Sequence, residues 1–101
     1  MDKQLKELAE HRYGQTEFVK TMMELAVEGQ WFDLQHVIQH DMAKVILADY
    51  SFKLGRGYFN LQIFNDYWED VIEIGWKTFC SRTGIPRENV KAKLKELHNA
   101  I

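Results

Sequence analysis

A run of four carboxylates between residues 66 and 73 is the densest set of chemically capable side chains in this sequence. Spacings of three and four residues place all four on one face of a helix, where their oxygens could hold Mg²⁺. Such a set is more often a solvated acidic face, and it can also dock on a basic protein surface. The four residues are Asp66, Glu69, Asp70 and Glu73.

The acidic run is similar in part to the all-helical nucleotide pyrophosphohydrolases, which pair two acidic segments on two facing helices. The resemblance implies a Mg²⁺-dependent enzyme in which Glu7 and Glu10 supply the second segment. Here the segments 66–69 and 70–73 lie on one helix, so the match to that pattern is poor. We therefore expect no catalytic residues and keep this enzyme only as a remote alternative.

His36 and His40 have the i, i+4 spacing that lets two imidazoles share one metal ion. Asp33 lies on the same side of the predicted helix. No glutamate follows the first histidine as in a zinc protease, and no third ligand is evident. We therefore expect two polar histidines on an outer face, with no metal site and no cofactor.

The C-terminal quarter has the spacing of a helix-turn-helix motif. This motif needs a small residue, a glycine four positions later, and apolar residues one, six and ten positions beyond the glycine. Those positions are filled by Cys80, Gly84, Ile85, Val90 and Leu94. The second helix would then face DNA, because Arg and Asn read bases and Lys suits phosphates. The residues facing DNA would be Arg87, Asn89, Lys91 and Lys95.

The run Thr83-Gly84-Ile85-Pro86-Arg87 resembles the turn of several bacterial winged-helix repressors, over about residues 76–97. The resemblance implies a DNA-binding regulator. Thr83 stands where an apolar residue is usual, and no strand-forming wing follows Leu97. A helix hairpin with a glycine turn also occurs in bundles that never touch DNA. DNA binding is therefore the alternative function.

Charge is distributed unevenly along the chain, and this bears on its partners. Residues 1–76 carry 7 Lys and Arg against 13 Asp and Glu, whereas residues 77–101 carry 6 against 2. A net charge of −2 gives the whole molecule no attraction to DNA or to an anionic membrane. Any attraction to DNA must come from the basic C-terminal segment.

Composition indicates one ordinary globular domain over residues 1–101, with 46% hydrophobic and 28% charged residues. Cys80 is the only cysteine, which excludes an internal disulfide and a cysteine zinc cluster. The N-terminus lacks the apolar core of a signal peptide, and no apolar run approaches the roughly 20 residues of a membrane span. We expect a cytoplasmic protein that does not engage a membrane.

The elements that position these residues are predicted to be helices, since a single proline interrupts almost nothing. Asp2, Thr16 and Asp33 are the predicted N-caps of the first three helices. The third helix is predicted to bury an apolar stripe. That stripe consists of Leu34, Val37, Ile38, Val45 and Phe52.

Asp41 is predicted to project into this apolar stripe. A buried carboxylate is costly unless it is paired or hydrogen-bonded. Its expected partner is Arg12, Arg56 or a tyrosine hydroxyl, and the alternative is a polar contact to another protein.

Residues 50–64 allow two interpretations. Apolar and polar residues alternate on both sides of Gly55-Arg56-Gly57, which is the period of a β-hairpin, yet a helical stripe also begins at Leu61. An isolated two-stranded hairpin is marginal in water. We therefore favour two helices joined by a loop and keep a short β-hairpin near residues 50–63 as the alternative. The predicted fold is an all-α compact bundle of four or five helices.

The fourth helix is predicted to carry two apolar stripes, a main one and a second one formed by Ile63, Tyr67 and Ile74. A helix this apolar either lies between two neighbouring helices or offers its second stripe to a partner. The main stripe consists of Leu61, Phe64, Trp68, Val71, Ile72, Gly75, Trp76 and Phe79.

We predict a non-enzymatic protein that acts by binding another macromolecule, most simply a protein. An inhibitor, an antitoxin or immunity-type protein, or a phage-encoded regulator would fit. The positive support is a surplus of aromatic residues beyond what a small core hides, because exposed Trp and Tyr anchor interfaces. The surplus consists of Trp31, Phe32, Tyr58, Tyr67, Trp68 and Trp76. The predicted binding patch is the second stripe with Asp66 and Asp70, and homodimerisation is the competing use of that patch.

Overall fold

A computed structural model describes residues 1–100, and within them the chain forms five helices and no strand. The predicted all-α bundle is therefore confirmed. Helix α3 is continuous but not uniform, because it is α-helical at both ends and π-helical in the middle. The helices are α1 (Lys3–Tyr13), α2 (Thr16–Val27), α3 (Trp31–His36, the π-helical Val37–Met42, and Ala43–Lys53), α4 (Leu61–Thr83) and α5 (Arg87–Asn99).

Local hydrogen bonds explain where some helices begin, though not always at the predicted cap. The Asp2 carboxylate accepts a hydrogen bond from the backbone N–H of Gln4 at 2.8 Å, as predicted. Helix α2 begins at Thr16 without a side-chain cap, and α3 begins at Trp31, which leaves Asp33 inside its first turn. The predictions of Thr16 and Asp33 as N-caps are wrong.

Two helices joined by a loop replace the alternative hairpin. Helix α3 ends at Lys53 and α4 begins at Leu61, with left-handed φ values of 75° at Gly55 and 77° at Gly57 between them. The side chain of Asn60 then caps α4. The favoured interpretation of this stretch is confirmed, and the hairpin is not formed in the described residues.

Helix α4 is the central element, since it packs against α1, α2 and α3. Its main stripe is buried at the positions from Val71 to Phe79, whereas Leu61 at its first turn is exposed. Ile63 and Ile74 from the second stripe are buried as well. The packing therefore confirms that neighbouring helices cover both stripes.

The π-helical part of α3 inserts one extra residue into the core-facing side of the helix. Leu34 and Ile38 are buried four residues apart, but the next buried residue, Ala43, comes five residues later. At about 100° per residue, an extra residue changes which side chains of the second half point inward. Val45 and Phe52 are consequently exposed, and the prediction that they belong to the buried stripe is wrong.

Asp41 leaves the core for the same reason. The prediction that it projects into the apolar stripe assumes an uninterrupted α-helix, and it is wrong: the side chain is exposed. Its expected partner Arg12 instead pairs with Asp49, with 3.5 Å between guanidinium and carboxylate.

A buried contact between three helices holds the π-helical segment. The hydroxyl of Tyr13 in α1 donates a hydrogen bond to the carbonyl of Ile38 at 2.7 Å. Burial raises the pKa of Tyr13, so the hydroxyl keeps its proton and remains a donor. From α4, the indole N–H of Trp76 donates to the Gln39 side-chain oxygen at 2.8 Å. Gly75 lies against the Tyr13 ring, and a Cβ there would be 2.6 Å from a ring carbon.

The substitution Gly75→Ala should lower the free energy of unfolding by about 1–3 kcal/mol, because the new methyl group overlaps the Tyr13 ring and the Ile38 side chain. Without that overlap, alanine would be favoured over glycine in a helix by about 1 kcal/mol. Urea denaturation of Gly75→Ala, Tyr13→Leu and the double variant measures the coupling. The Gly75→Ala substitution should lower the free energy of unfolding less in the Tyr13→Leu background than in the wild type. Strictly additive effects of the two substitutions would contradict the contact.

Deletion of Asp41 should leave a folded protein with a melting temperature close to that of the wild type. The deletion shortens the spacing between Ile38 and Ala43 to four residues, so an ordinary α-helix can then keep both in the core. Circular dichroism and thermal melting measure the outcome.

The matched control is deletion of Lys20, an exposed residue of α2. This helix has no extra residue, so the deletion should turn Met22 out of the core and lower the melting temperature strongly. Equal damage from the two deletions would show that α3 carries no dispensable residue.

Candidate functional site

The predicted protein-binding stripe is not a free surface. Ile63 and Ile74 lie in the core, and Tyr67 is half-buried with its ring packed edge-on against Tyr50 at 5.9 Å. Burial raises the pKa of Tyr50, with a further contribution from the nearby carboxylate of Asp2. The prediction that this stripe is exposed to a partner is wrong for Ile63 and Ile74, because neighbouring helices already cover them.

The acidic residues of α4 are exposed, which includes the predicted binding residues Asp66 and Asp70. Glu7 and Glu10 on α1 are exposed too. Within residues 1–100 these carboxylates form no convergent group that could hold an ion together. Glu73 instead accepts a hydrogen bond from Arg87. The geometry is that of a solvated acidic face.

His36, His40 and Asp41 form the one convergent group of potential metal ligands in the part of the chain that the structure describes. Nε2 of His36 lies 3.3 Å from Oδ1 of Asp41, and Nδ1 of His40 lies 3.4 Å from the same oxygen. The imidazole rings are stacked, with centroids 4.6 Å apart and an interplanar angle of 13°. The rings of Trp68 and His40 form a T-shaped pair, with 6.3 Å between centroids.

The i, i+4 spacing predicts that the two histidines share one face of the helix, but it does not predict that Asp41 lies beside them. In an α-helix, Asp41 would lie about 140° around the axis from His36. In a π-helix the i→i+5 hydrogen bond brings these two positions together. The sequence gives no clear signal of this turn, because the apolar Met42 follows Ile38 at ordinary α-helical spacing.

The predicted helix-turn-helix segment is a helix hairpin in which Gly84 adopts a left-handed φ of 74°. The Thr83 hydroxyl donates to the carbonyl of Phe79 and accepts from the N–H of Ile85, so a polar residue satisfies the turn where an apolar one is usual. Val90 is buried, and α5 packs against the Trp31–His36 part of α3.

The predicted DNA-facing residues are not presented together. Asn89, Lys91 and Lys95 are exposed, but Arg87 turns back onto α4. Its guanidinium lies 5.2 Å from the centre of the Trp76 ring and pairs with Glu73. Arg87 therefore attaches the start of α5 to α4.

An exposed apolar cluster surrounds the loop between α3 and α4, and we call it the aromatic loop. The rings of Phe52 and Tyr58 stack with centroids 4.4 Å apart and an interplanar angle of 8°. Phe59, which is 67% exposed, has its ring 5.1 Å from that of Phe64. The aromatic loop consists of Phe52, Leu54, Tyr58, Phe59 and Leu61. Of these residues, only Tyr58 belongs to the predicted aromatic surplus. The sequence pattern of the others, in which apolar and polar residues alternate, is also typical of a β-hairpin.

Comparisons with protein-family models, with curated proteins and with solved structures return no match to this chain. Among residues 1–100, no helix combines the length and the apolar character that crossing a membrane requires.

Replacing Arg87 with alanine should lower the free energy of unfolding by about 1 kcal/mol, because the ion pair and the cation–π contact are both lost. More than half of the Glu73 side chain is exposed, so solvent screening keeps the ion-pair contribution small. Urea denaturation measures the change. Arg82→Ala, at an exposed arginine near the end of α4, is the matched control and should change stability by less than about 0.5 kcal/mol. Equal effects of the two substitutions would contradict the attachment of α5 through Arg87.

Proposed function

We propose that this protein is non-enzymatic and acts by binding another protein through the aromatic loop, as an inhibitor, an antitoxin or immunity-type protein, or a phage-encoded regulator would. The observation that supports the proposal is the exposure of adjacent aromatic rings in one segment. Phe52 is 53% exposed and Tyr58 is 62% exposed, although each is in ring contact with the other. Apolar clusters of this kind mark sites of association.

Leaving these side chains in water sacrifices stability that the fold could have gained. Burial of apolar surface is worth about 25 cal/mol per Å², and one aromatic side chain can bury about 150–250 Å². A loop whose only task was to join α3 to α4 would need polar residues and the two glycines. The aromatic loop therefore supports a role in recognition.

The stacked rings also reduce the cost of binding. Side chains that are ordered before association lose less conformational entropy when a partner arrives. Phe52 is held on the last turn of α3, and Tyr58 is held against it at 4.4 Å. This arrangement favours an anchor that is already formed in the free protein.

Charge indicates the chemistry of the partner. Between residues 52 and 62 the only charged side chains are Lys53 and Arg56, both exposed. We therefore propose a partner protein that offers an apolar surface with an acidic rim. A cytoplasmic location belongs to the same proposal and is supported by the free thiol of Cys80.

The alternative of DNA binding has less support. It needs Arg87 beside Lys91 and Lys95, whereas Arg87 is occupied by Glu73 and Trp76. The remaining exposed lysines, Lys91 and Lys95, are equally explained as the polar, solvent-facing side of α5.

A photo-crosslinking amino acid placed at Tyr58 should give one defined heteromeric adduct in the native host, because this ring would lie inside the interface. The same crosslinker at Val27, which is 87% exposed on α2, is the matched control and should not give that adduct. The adduct is identified by mass spectrometry. An adduct with twice the mass of the chain would identify a second copy and overturn the heteromeric proposal.

The affinity of the purified pair provides the quantitative part of the test. Tyr58→Ala should weaken binding at least about tenfold, as truncation of an aromatic hot spot commonly does. Val27→Ala should leave the dissociation constant unchanged. If Tyr58→Ala binds as tightly as the wild type, the aromatic loop is not the interface.

A further inference from the structure

We propose that His36, His40 and Asp41 form a binding site for a divalent transition-metal ion of the Zn²⁺ type. The site is independent of the aromatic loop and of the protein-binding function proposed above. Three observations support it: the spacing of the donor atoms, the backbone that brings them together, and the chemistry of the donor set.

The donor atoms have the spacing of ligands around one ion. Tetrahedral zinc with bonds of about 2.0–2.1 Å keeps neighbouring ligand atoms about 3.3–3.4 Å apart. The carboxylate oxygen of Asp41 lies 3.3 Å from Nε2 of His36 and 3.4 Å from Nδ1 of His40. Charge-assisted N–H···O hydrogen bonds are shorter, at about 2.7–2.9 Å. The separations are longer than such bonds, and the three ligand atoms all lie within 4.8 Å of one another, so the three groups are close enough to share one ion.

The π-helical turn is what completes the set. An i, i+4 histidine pair already shares one face of a helix, but a carboxylate five residues after the first histidine does not. The π-helical segment Val37–Met42 includes His40 and Asp41 and follows directly on His36. Such single-turn π-helical segments occur frequently at functional sites. Here the segment turns Asp41 away from the core and toward both imidazoles.

The donor set selects the class of ion. Two imidazole nitrogens and one carboxylate oxygen suit Zn²⁺, Co²⁺, Ni²⁺ or Cu²⁺, whereas Mg²⁺ and Ca²⁺ prefer oxygen ligands alone. With three protein ligands, at least one coordination position remains for water or for a group from another molecule. All three side chains are more than half exposed, so the ion can enter from solvent.

Two neighbouring side chains, Trp68 and Asp33, line the same cleft as His36 and His40, and Asp33 lies one turn before His36. The second carboxylate adds negative potential that favours a cation. Because the ligands are exposed and held on one helix, we expect affinity in the micromolar range, weaker than in closed four-ligand structural sites.

Isothermal titration calorimetry with Zn²⁺ tests the site on the full-length chain. We expect one ion per chain, with affinity reduced more than about tenfold in His36→Ala, in His40→Ala and in Asp41→Asn. The matched control is His11→Ala, because His11 is an exposed histidine on α1 that belongs to no convergent ligand group among residues 1–100. A Cys80→Ser variant separates the free thiol from the proposed ligands. Both control variants should bind Zn²⁺ as the wild type does.

Co²⁺ provides a spectroscopic readout of the same ligands. Binding should produce visible d–d absorption bands in the wild type that are lost or shifted in Asp41→Asn, which retains the shape of the side chain. Circular dichroism checks that each surface variant remains helical. Undetectable Zn²⁺ binding at micromolar concentrations, unchanged affinity in Asp41→Asn, or an equal loss in His11→Ala would each overturn the proposal.

Discussion

The hydrogen bond from the Tyr13 hydroxyl to the Ile38 carbonyl, packed against Gly75, is the contact on which the rest of the structure depends. It joins α1, α3 and α4 at the point where α3 departs from α-helical geometry. The absence of a side chain at Gly75 lets the ring approach α4 closely, and burial raises the pKa of Tyr13 so that the donor proton is retained.

The extra residue that this contact accommodates determines two different surfaces. Core packing requires that Ile38 and Ala43 both face inward although five residues separate them. Within the π-helical segment, the surplus residue is turned outward, and Asp41 arrives beside His36 and His40. In the part of α3 that follows the π-helical segment, the side chains are rotated about the helix axis relative to an uninterrupted α-helix. Phe52 is therefore at the surface, where it stacks on Tyr58. A packing requirement inside the protein thus produces the polar cluster and part of the aromatic loop.

Much of the fold could be predicted from periodicity and from residues with strong local preferences. The apolar stripes of α4 identify a helix covered by two neighbours, while Gly84 and Pro86 mark the turn before α5. The predicted cap at Asp2 is correct because it depends only on the adjacent backbone. The second half of α3 could not be predicted in this way, since a projection at constant angle assumes that every turn is α-helical. The partners that stabilise the π-helical turn, Tyr13 and Trp76, are distant in sequence.

Projection of single helices also explains why some candidate residues have a different role in the structure from the one predicted. When α4 is considered alone, Ile63 and Ile74 form a second apolar stripe with no obvious partner. In the bundle, both side chains are buried in the core. Arg87 looks like a base-reading residue on α5 alone, yet Glu73 and Trp76 of α4 occupy it. In each case a single-helix projection identifies which side chains share a face but does not identify what that face meets. The shared face of His36 and His40 could be predicted because their spacing is local, whereas the place of Asp41 beside them depends on contacts made by two other helices.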